Sequence, residues 1–460
     1  MKTIVKRTVT FCLAVAMLAG IAGCGKTKNA DQADKITLRL WSKQTQDALP
    51  EDVEYHDAYM AVLKEKFPDI IFEEAIMPQG GDYRQEYDKA LMAGKEPAFI
   101  AMFSYTDIPT RSKNGTVADI TKYVENWDLR KEGKVLDIFD EAISSDGKWY
   151  AIPWKAYTQA SLVNKKVLAE AGWDENNIPK TWKEFAEMGE KVTDFSIPRI
   201  GYALVGYDYC AWPFTAWVWS AGGEMVRKNA DGTYKLAFNE PEGVDTALFM
   251  NEMIWKHKMT QKDALMNNAD LTALQQNNTA VFSWGTFGTI NDKAVEKYGV
   301  NPQDFAVAPI PVKEEGIQAP ALAGGEVITF SPKLTEKELE AAVEVAKYLY
   351  YSDEMMQLEF DYIKKNEKMN VYIPGRVDLY EQKLQANVRL NEDMIENMLA
   401  LRDVSRPEPY CPHWTDIKTA LVEPLQRIYL TDGISREEVQ NILDECADNL
   451  YGLYPDSFKK

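Results

Sequence analysis

Few residues in this chain stand at the spacing that covalent or metal chemistry requires. Gly20, Gly25, Lys26 and Thr27 fit the pattern G-x-x-x-x-G-K-T. That loop cradles phosphate only where a strand precedes it and a helix follows, so that backbone N–H groups and a helix N-terminus face the anion. Here an apolar run precedes it and the polar stretch from Lys26 to Asp34 follows, so the match is coincidental. Cys411 and His413 lie two apart, but the only other histidines are His56 and His257, and neither H-E-x-x-H nor a paired C-x-x-C occurs. No metal site is expected. No G-x-S-x-G nucleophile elbow is present. Glycosidic hydrolysis needs two carboxylates roughly 5–10 Å apart across a bond, and nothing marks such a pair among the 71 acidic residues. The expectation is a protein that binds rather than catalyses, without a cofactor.

The elements that must position a binding site begin after a leader. Lys2, Lys6 and Arg7 precede an apolar run from Val9 to Ala22 that ends in small residues, the layout of a secretory signal. The run is shorter than the roughly 20 residues of a membrane span. Residues 25–34 form a polar tether. Alternating apolar residues predict a strand at Ile36–Trp41, followed by a helix over 52–66 that ends before Pro68. A strand at 70–76, a helix at 83–92 closed by Gly94, and a buried strand at 98–103 continue the alternation. Strand and helix taking turns predict an α/β domain with a largely parallel sheet. Further on, Thr181 with Glu184, Thr335 with Glu338 and Ser435 with Glu438 are capping boxes that open helices. Short strands are expected at 280–284, 305–310 and 326–330.

Composition narrows the class. Removal of residues 1–23 leaves 437 residues, a length natural for two domains. Loss of the three leader cations takes the net charge from −19 to −22. Such a surface repels nucleic-acid phosphates and anionic lipid headgroups, so neither is expected as a partner. Besides Cys12 and Cys24, only Cys210, Cys411 and Cys446 remain, odd in number and far apart. One bridge or three buried thiols both fit; Cys446 lies on an apolar helix face and reads as core.

Ile21-Ala22-Gly23-Cys24 resembles the lipobox of bacterial lipoproteins. The resemblance implies cleavage before Cys24, a thioether-linked diacylglycerol on it, and a protein anchored outside the cytoplasm. Asp146-Gly147-Lys148-Trp149-Tyr150-Ala151-Ile152-Pro153, Asn164-Lys165, Ala171-Gly172-Trp173, the run from Pro179 to Phe185, Ser220-Ala221-Gly222-Gly223, Thr279 to Gly285, Ala306 to Pro311 and Gly324-Gly325 resemble, in order, the family 1 extracellular solute-binding proteins of sugar importers. Pro97-Ala98 and Asn278 depart from that pattern, where Pro-Asp and a glycine are usual. The resemblance covers roughly residues 36–450. It implies a two-lobed periplasmic-binding-protein fold, each lobe a mainly parallel sheet flanked by helices. Lobe one would take 35–152 and 300–348, and lobe two 153–299 and 349–460. It further implies a monomer that closes about a hinge on a small ligand, an oligosaccharide, and delivers it to an ABC-type permease.

A sugar offers flat C–H faces and many hydroxyls, so its site calls for rings with polar tips and paired hydrogen-bonding groups. The chain has 12 Trp and 23 Tyr, and most must serve as core. Candidates are chosen by place. Trp41 ends the first strand, Trp154 and Tyr157 follow Pro153, and Trp212, Trp217 and Trp219 crowd the segment before Gly222-Gly223. Trp284 precedes Gly285, and Gly324 and Gly325 would let backbone approach a ligand. Gln44, Asp107, Asp208 and Glu326 are the polar candidates, joined by Arg376, whose Pro374-Gly375-Arg376 resembles a family segment. Three other readings stay open: a secreted carbohydrate-active enzyme, the same fold binding a peptide, polyamine or phospho-compound, and a lipoprotein that feeds a sensor. A polyamine site would gather acids, and a phosphate site would gather Arg and Lys.

Overall fold

The computed structural model describes residues 35–78, 82–145, 147–170, 172–174, 177–318 and 321–460. The signal, Cys24 and the tether lie outside the described residues. The opening βαβ unit follows from its sequence. Leu38 and Leu40 point inward on the strand Ile36–Leu40, which pairs in parallel with Ile70–Glu74, Ile36 opposite Ile70. A parallel partner requires a crossover, supplied by the helix Pro50–Lys66. Proline at its start, Glu51 and Asp52 in its first turn and Lys64 and Lys66 in its last all suit a helix dipole. The helix Tyr83–Ala93 starts at an Asp82 cap and stops at Gly94, whose φ of 65° suits a left-handed C-terminal cap. All three capping boxes form, opening the helices Trp182–Val192, Glu336–Tyr351 and Arg436–Leu453.

The α/β class holds, with a mixed strand pattern. An eight-stranded sheet is organised around two long strands, Ile152–Asn164 and Ala321–Phe330. They pair antiparallel with each other, from Leu322 opposite Gln159 to Ile328 opposite Ile152. Phe99–Ser104 adds antiparallel to Ala321–Phe330, and Ala280–Gly285 and Phe305–Ala308 add antiparallel to Ile152–Asn164. Besides the first ladder, the parallel ladders among the described strands are Ile200–Ala203 beside Ala280–Gly285 and Ser405–Pro407 beside Ala321–Phe330. The alternation of strands and helices signals crossovers; it does not reveal that these two strands run against each other between them. The Ala321–Phe330 strand starts five residues before the expected 326 because Gly324 and Gly325, read as a place where backbone could approach a ligand, are paired within it.

Two of the main apolar cores stand at opposite ends of this sheet. One gathers Leu38, Leu63, Phe330, Val343 and Tyr351; another gathers Phe185, Trp217, Phe282, Leu421 and Leu443. A third, containing Phe103, Tyr105, Phe139, Leu162 and Tyr380, packs along the two long strands. Cys210, Cys411 and Cys446 are buried and unbridged. Among the described residues no group of three or more His, Cys, Asp or Glu is placed to hold a metal, and no helix is long and apolar enough to cross a membrane.

Candidate functional site

Where the two long strands pair, Tyr157 from one and Glu326 from the other project into a cavity of about 240 Å³. Lys155 and Tyr157 share one face of their strand, opposite Glu326 and Gly324. Gly324 makes room for the Tyr157 ring: a Cβ there would lie 2.1 Å from Tyr157 Cε2. Gly325 is as tightly held, a Cβ falling 2.3 Å from the Phe139 ring. Both glycines, expected from sequence to let backbone approach a ligand, make room here for neighbouring rings, and neither lines the cavity. Lys155 Nζ stands 3.2 Å from Glu326 Oε2, 4.0 Å from the centre of the Trp154 ring and 4.7 Å from that of Tyr372. Burial lowers the Lys155 ammonium from its ordinary range, and Glu326 partly opposes that.

The facing wall comes from the helix Ala211–Ser220 and the loop before it. Trp212 meets Tyr157 edge-on at 6.0 Å and Trp284 at 5.9 Å. Among the described residues the buried indole N–H groups of Trp212 and Trp284 find no acceptor, and a buried donor left unpaired invites one. Asp208 and the exposed Tyr209 lie at the rim. Tyr83 and Arg84, in the first turn of Tyr83–Ala93, line the same cavity. Arg84 Nε donates to Asp107 Oδ2 at 2.9 Å, and Thr415 Oγ1 donates to Asp107 Oδ1 at 3.4 Å. Glu408, 3% exposed, accepts from Trp414 Nε1 and from Lys418 Nζ, each at 2.8 Å. Burial, reinforced by the Glu408 and Glu326 carboxylates, holds the Tyr157 phenol neutral and well above its usual range. The cavity thus presents aromatic faces beside hydrogen-bonding groups, and every cation lining it is matched by a carboxylate.

Of the residues expected from sequence, Tyr157, Asp208, Trp212 and Glu326 line this cavity. Asp107 sits beside it, in an adjoining crevice that shares Arg84 and Thr415. Trp284 backs Trp212. Trp154 faces a second cavity on the other side of the Lys155–Glu326 pair. Other candidates sit elsewhere. Trp41 packs edge-on to Tyr87, and Gln44 follows it in irregular chain; neither lines the cavity. Trp217 is core, 1% exposed, with its N–H on the Tyr202 hydroxyl. Trp219 is also buried, under the Arg406 guanidinium. The Ala211–Ser220 helix is apolar all round, so spacing alone does not tell its pocket-facing Trp212 from the core pair. Arg376 is spent on Asp353 and Asp378 and on the Tyr351 carbonyl, and does not line the cavity. Sequence reasoning missed Tyr83, Arg84, Glu408, Thr415 and Lys418. Glu408 stands in no motif, and its burial depends on a helix, Trp414–Leu430, that supplies both its partners.

Residues 52–356 match the model of the bacterial extracellular solute-binding protein family. A maltotriose-binding protein of Pyrococcus abyssi is 25% identical over 332 residues, covering 70% of this chain and 64% of that protein. The diacetylchitobiose-binding protein DasA of Streptomyces coelicolor is 27% identical over 242 residues, 49% of this chain and 51% of its own length. The chain therefore spans between half and two thirds of these curated relatives. An ABC transporter solute-binding protein of Thermotoga lettingae, solved with alpha-D-tagatose, superimposes with a TM-score of 0.70 at 20% identity, covering 91% of this chain and 100% of that one. With the family model matched over most of its length, this chain belongs to the bacterial extracellular solute-binding proteins.

Proposed function

We propose that this protein captures a neutral carbohydrate, an oligosaccharide, outside the cytoplasm and delivers it to an ABC importer. It acts as a monomer, tethered by lipid on Cys24, and binds without turnover. Lobe one takes 35–152 and 300–348, lobe two 153–299 and 349–460, and the ligand is held as they close. The ligand favours the closed form only through contacts it makes better there.

The observation that carries the carbohydrate reading is the pairing of charges around aromatic rings. Tyr83, Tyr157, Tyr209 and Trp212 supply faces, while Arg84 is held by Asp107 and Lys418 by Glu408. A phosphate ester would call for unmatched Arg or Lys, and a polyamine for several unmatched acids; of the cavity's carboxylates only Asp208 lacks a cationic partner among the described residues. Sugar-binding relatives support the same reading.

A thermal-shift screen of the purified protein against mono- and oligosaccharides, amino acids, polyamines and phosphate esters tests it. A ligand that binds only the folded state raises Tm by mass action. The expected result is a shift with one oligosaccharide class and no product on chromatography. A shift with polyamines or phosphate esters alone overturns the sugar reading, and product formation overturns the binder. Replacing Cys24 with Ser is expected to move the protein from the membrane to the soluble fraction.

A further inference from the structure

Beyond the Lys155–Glu326 pair lies a second cavity of about 280 Å³. Its walls are the helix Pro50–Lys66, the helices Glu336–Tyr351 and Asp353–Lys365, and the segment around Tyr372. Tyr55, Tyr59, Tyr350, Tyr362, Tyr372 and Trp154 all line it. Among the described residues, Tyr362 alone of these tyrosines uses its hydroxyl, donating to Asp52, and the hydroxyls of Tyr55, Tyr59, Tyr350 and Tyr372 find no hydrogen-bond partner. Asn370 Oδ1 is buried there and meets no donor among the described residues. Both cations are already matched, Lys155 by Glu326 and the buried Lys383 by Glu359 at 2.9 Å.

The two cavities share a wall. Tyr157 of the first meets Tyr372 of the second edge-on at 6.0 Å, and Lys155 of the second is paired to Glu326 of the first. A ring-lined space with free phenol hydroxyls, an orphaned amide oxygen and no unmatched cation suits a polyhydroxylated, uncharged ligand. We propose that the second cavity extends the first, so that one linear neutral oligosaccharide spans both, its far units lying against Tyr55, Tyr59, Tyr350 and Tyr372. This rests on the carbohydrate reading and adds a length requirement. The chain must be longer than the first cavity alone accommodates, and an acidic glycan gains nothing from the extension.

Calorimetric titration of the purified protein with linear gluco-, xylo-, arabino- and chito-oligosaccharides of two to six units tests this, in wild type, in a Tyr59→Phe/Tyr350→Phe double variant, in Tyr372→Ala and in Trp212→Ala. The Phe variant keeps both rings and removes only free hydroxyls. The expected result is affinity in one series that rises about tenfold or more from the shortest to the longest member. That rise shrinks several-fold in the Phe and Tyr372 variants, whereas Trp212→Ala weakens every length. Equal affinity at all lengths, or a rise untouched by the second-cavity variants, overturns the extension while leaving a carbohydrate binder in place. Absence of binding in all four series overturns the carbohydrate reading and the extension with it.

Discussion

Gly324→Ala offers a sharp test of how the cavity is built. The added Cβ would stand 2.1 Å from Tyr157 Cε2 and 2.6 Å from Cζ. Ordinary carbon contacts lie at roughly 3.5–4.0 Å, so ring and backbone must separate by well over an ångström. The ring has little room to yield, with Trp212 on one side and Tyr372 on another, each 6.0 Å away. Overpacking of this kind costs about 1–3 kcal/mol of stability. Displacing a stacking face costs binding as well, on the order of 0.5–1.5 kcal/mol, or a few-fold to tenfold in Kd. Urea denaturation gives the first quantity and calorimetric titration with the oligosaccharide selected by thermal shift gives the second. The mechanism is isolated by a double-mutant cycle with Tyr157→Ala. Once the ring is gone the methyl has space, so Gly324→Ala should cost little in that background. An equal cost in both backgrounds would refute steric action through Tyr157 and leave the glycine needed for backbone reasons alone.

Other outcomes follow from neighbouring features. Lys418→Met leaves the nearly buried Glu408 carboxylate with Trp414 alone. Because Lys418 is about a quarter exposed, the loss should fall below the roughly 3–5 kcal/mol of a fully buried pair, near 2 kcal/mol. Glu408→Gln in the same chain should restore part of it in urea denaturation. Backbone N–H bonds from Lys180 and Thr181 hold Glu184 below its ordinary value of 4.5. Its folded-state value being depressed, the stabilisation is present above pH 4.5 and is lost as pH falls through the folded value. The stability difference between wild type and Glu184→Ala should therefore narrow on acidification below pH 4, as denaturation curves at successive pH values would record. Burial pushes the Cys210 and Cys446 thiols up to about 12 and Cys411 higher still. At neutral pH all three should resist a thiol-specific reagent until the protein unfolds, as peptide mapping would show; fast labelling of any of them in the native state would contradict this placement.

Much of the frame was legible in the sequence because local rules decide it. Capping boxes at Thr181, Thr335 and Ser435 satisfy helix-start donors wherever they occur, and all three open helices. The alternation at Ile36–Leu40 and the crossover behind it likewise needed no distant partner. The site was less legible because it is made by register. Tyr157 faces the cavity and Gly324 admits it only because the two strands align them. Trp217 and Trp219 share a helix with Trp212, and only tertiary packing separates core from cavity. Arg376, chosen from a motif, is drawn away by Asp378 two residues on and by Asp353. Glu408 carries no signal because its partners are six and ten residues further along, on a helix of their own.

The Ile152–Asn164 strand also sets when the chain can finish folding. Its first half waits for Ala321–Phe330 and its second half for Ala280–Gly285 and Phe305–Ala308. As the chain is synthesised, everything before residue 165 therefore emerges with its central strand unpaired on both sides. Pairings so distant in sequence make folding slow, because loop closure must precede any gain. They also couple the cores at the two ends of the sheet into one cooperative unit, since neither can lose this strand and keep its ladder. A break in the chain after Asn164 should yield two fragments that fold only when mixed.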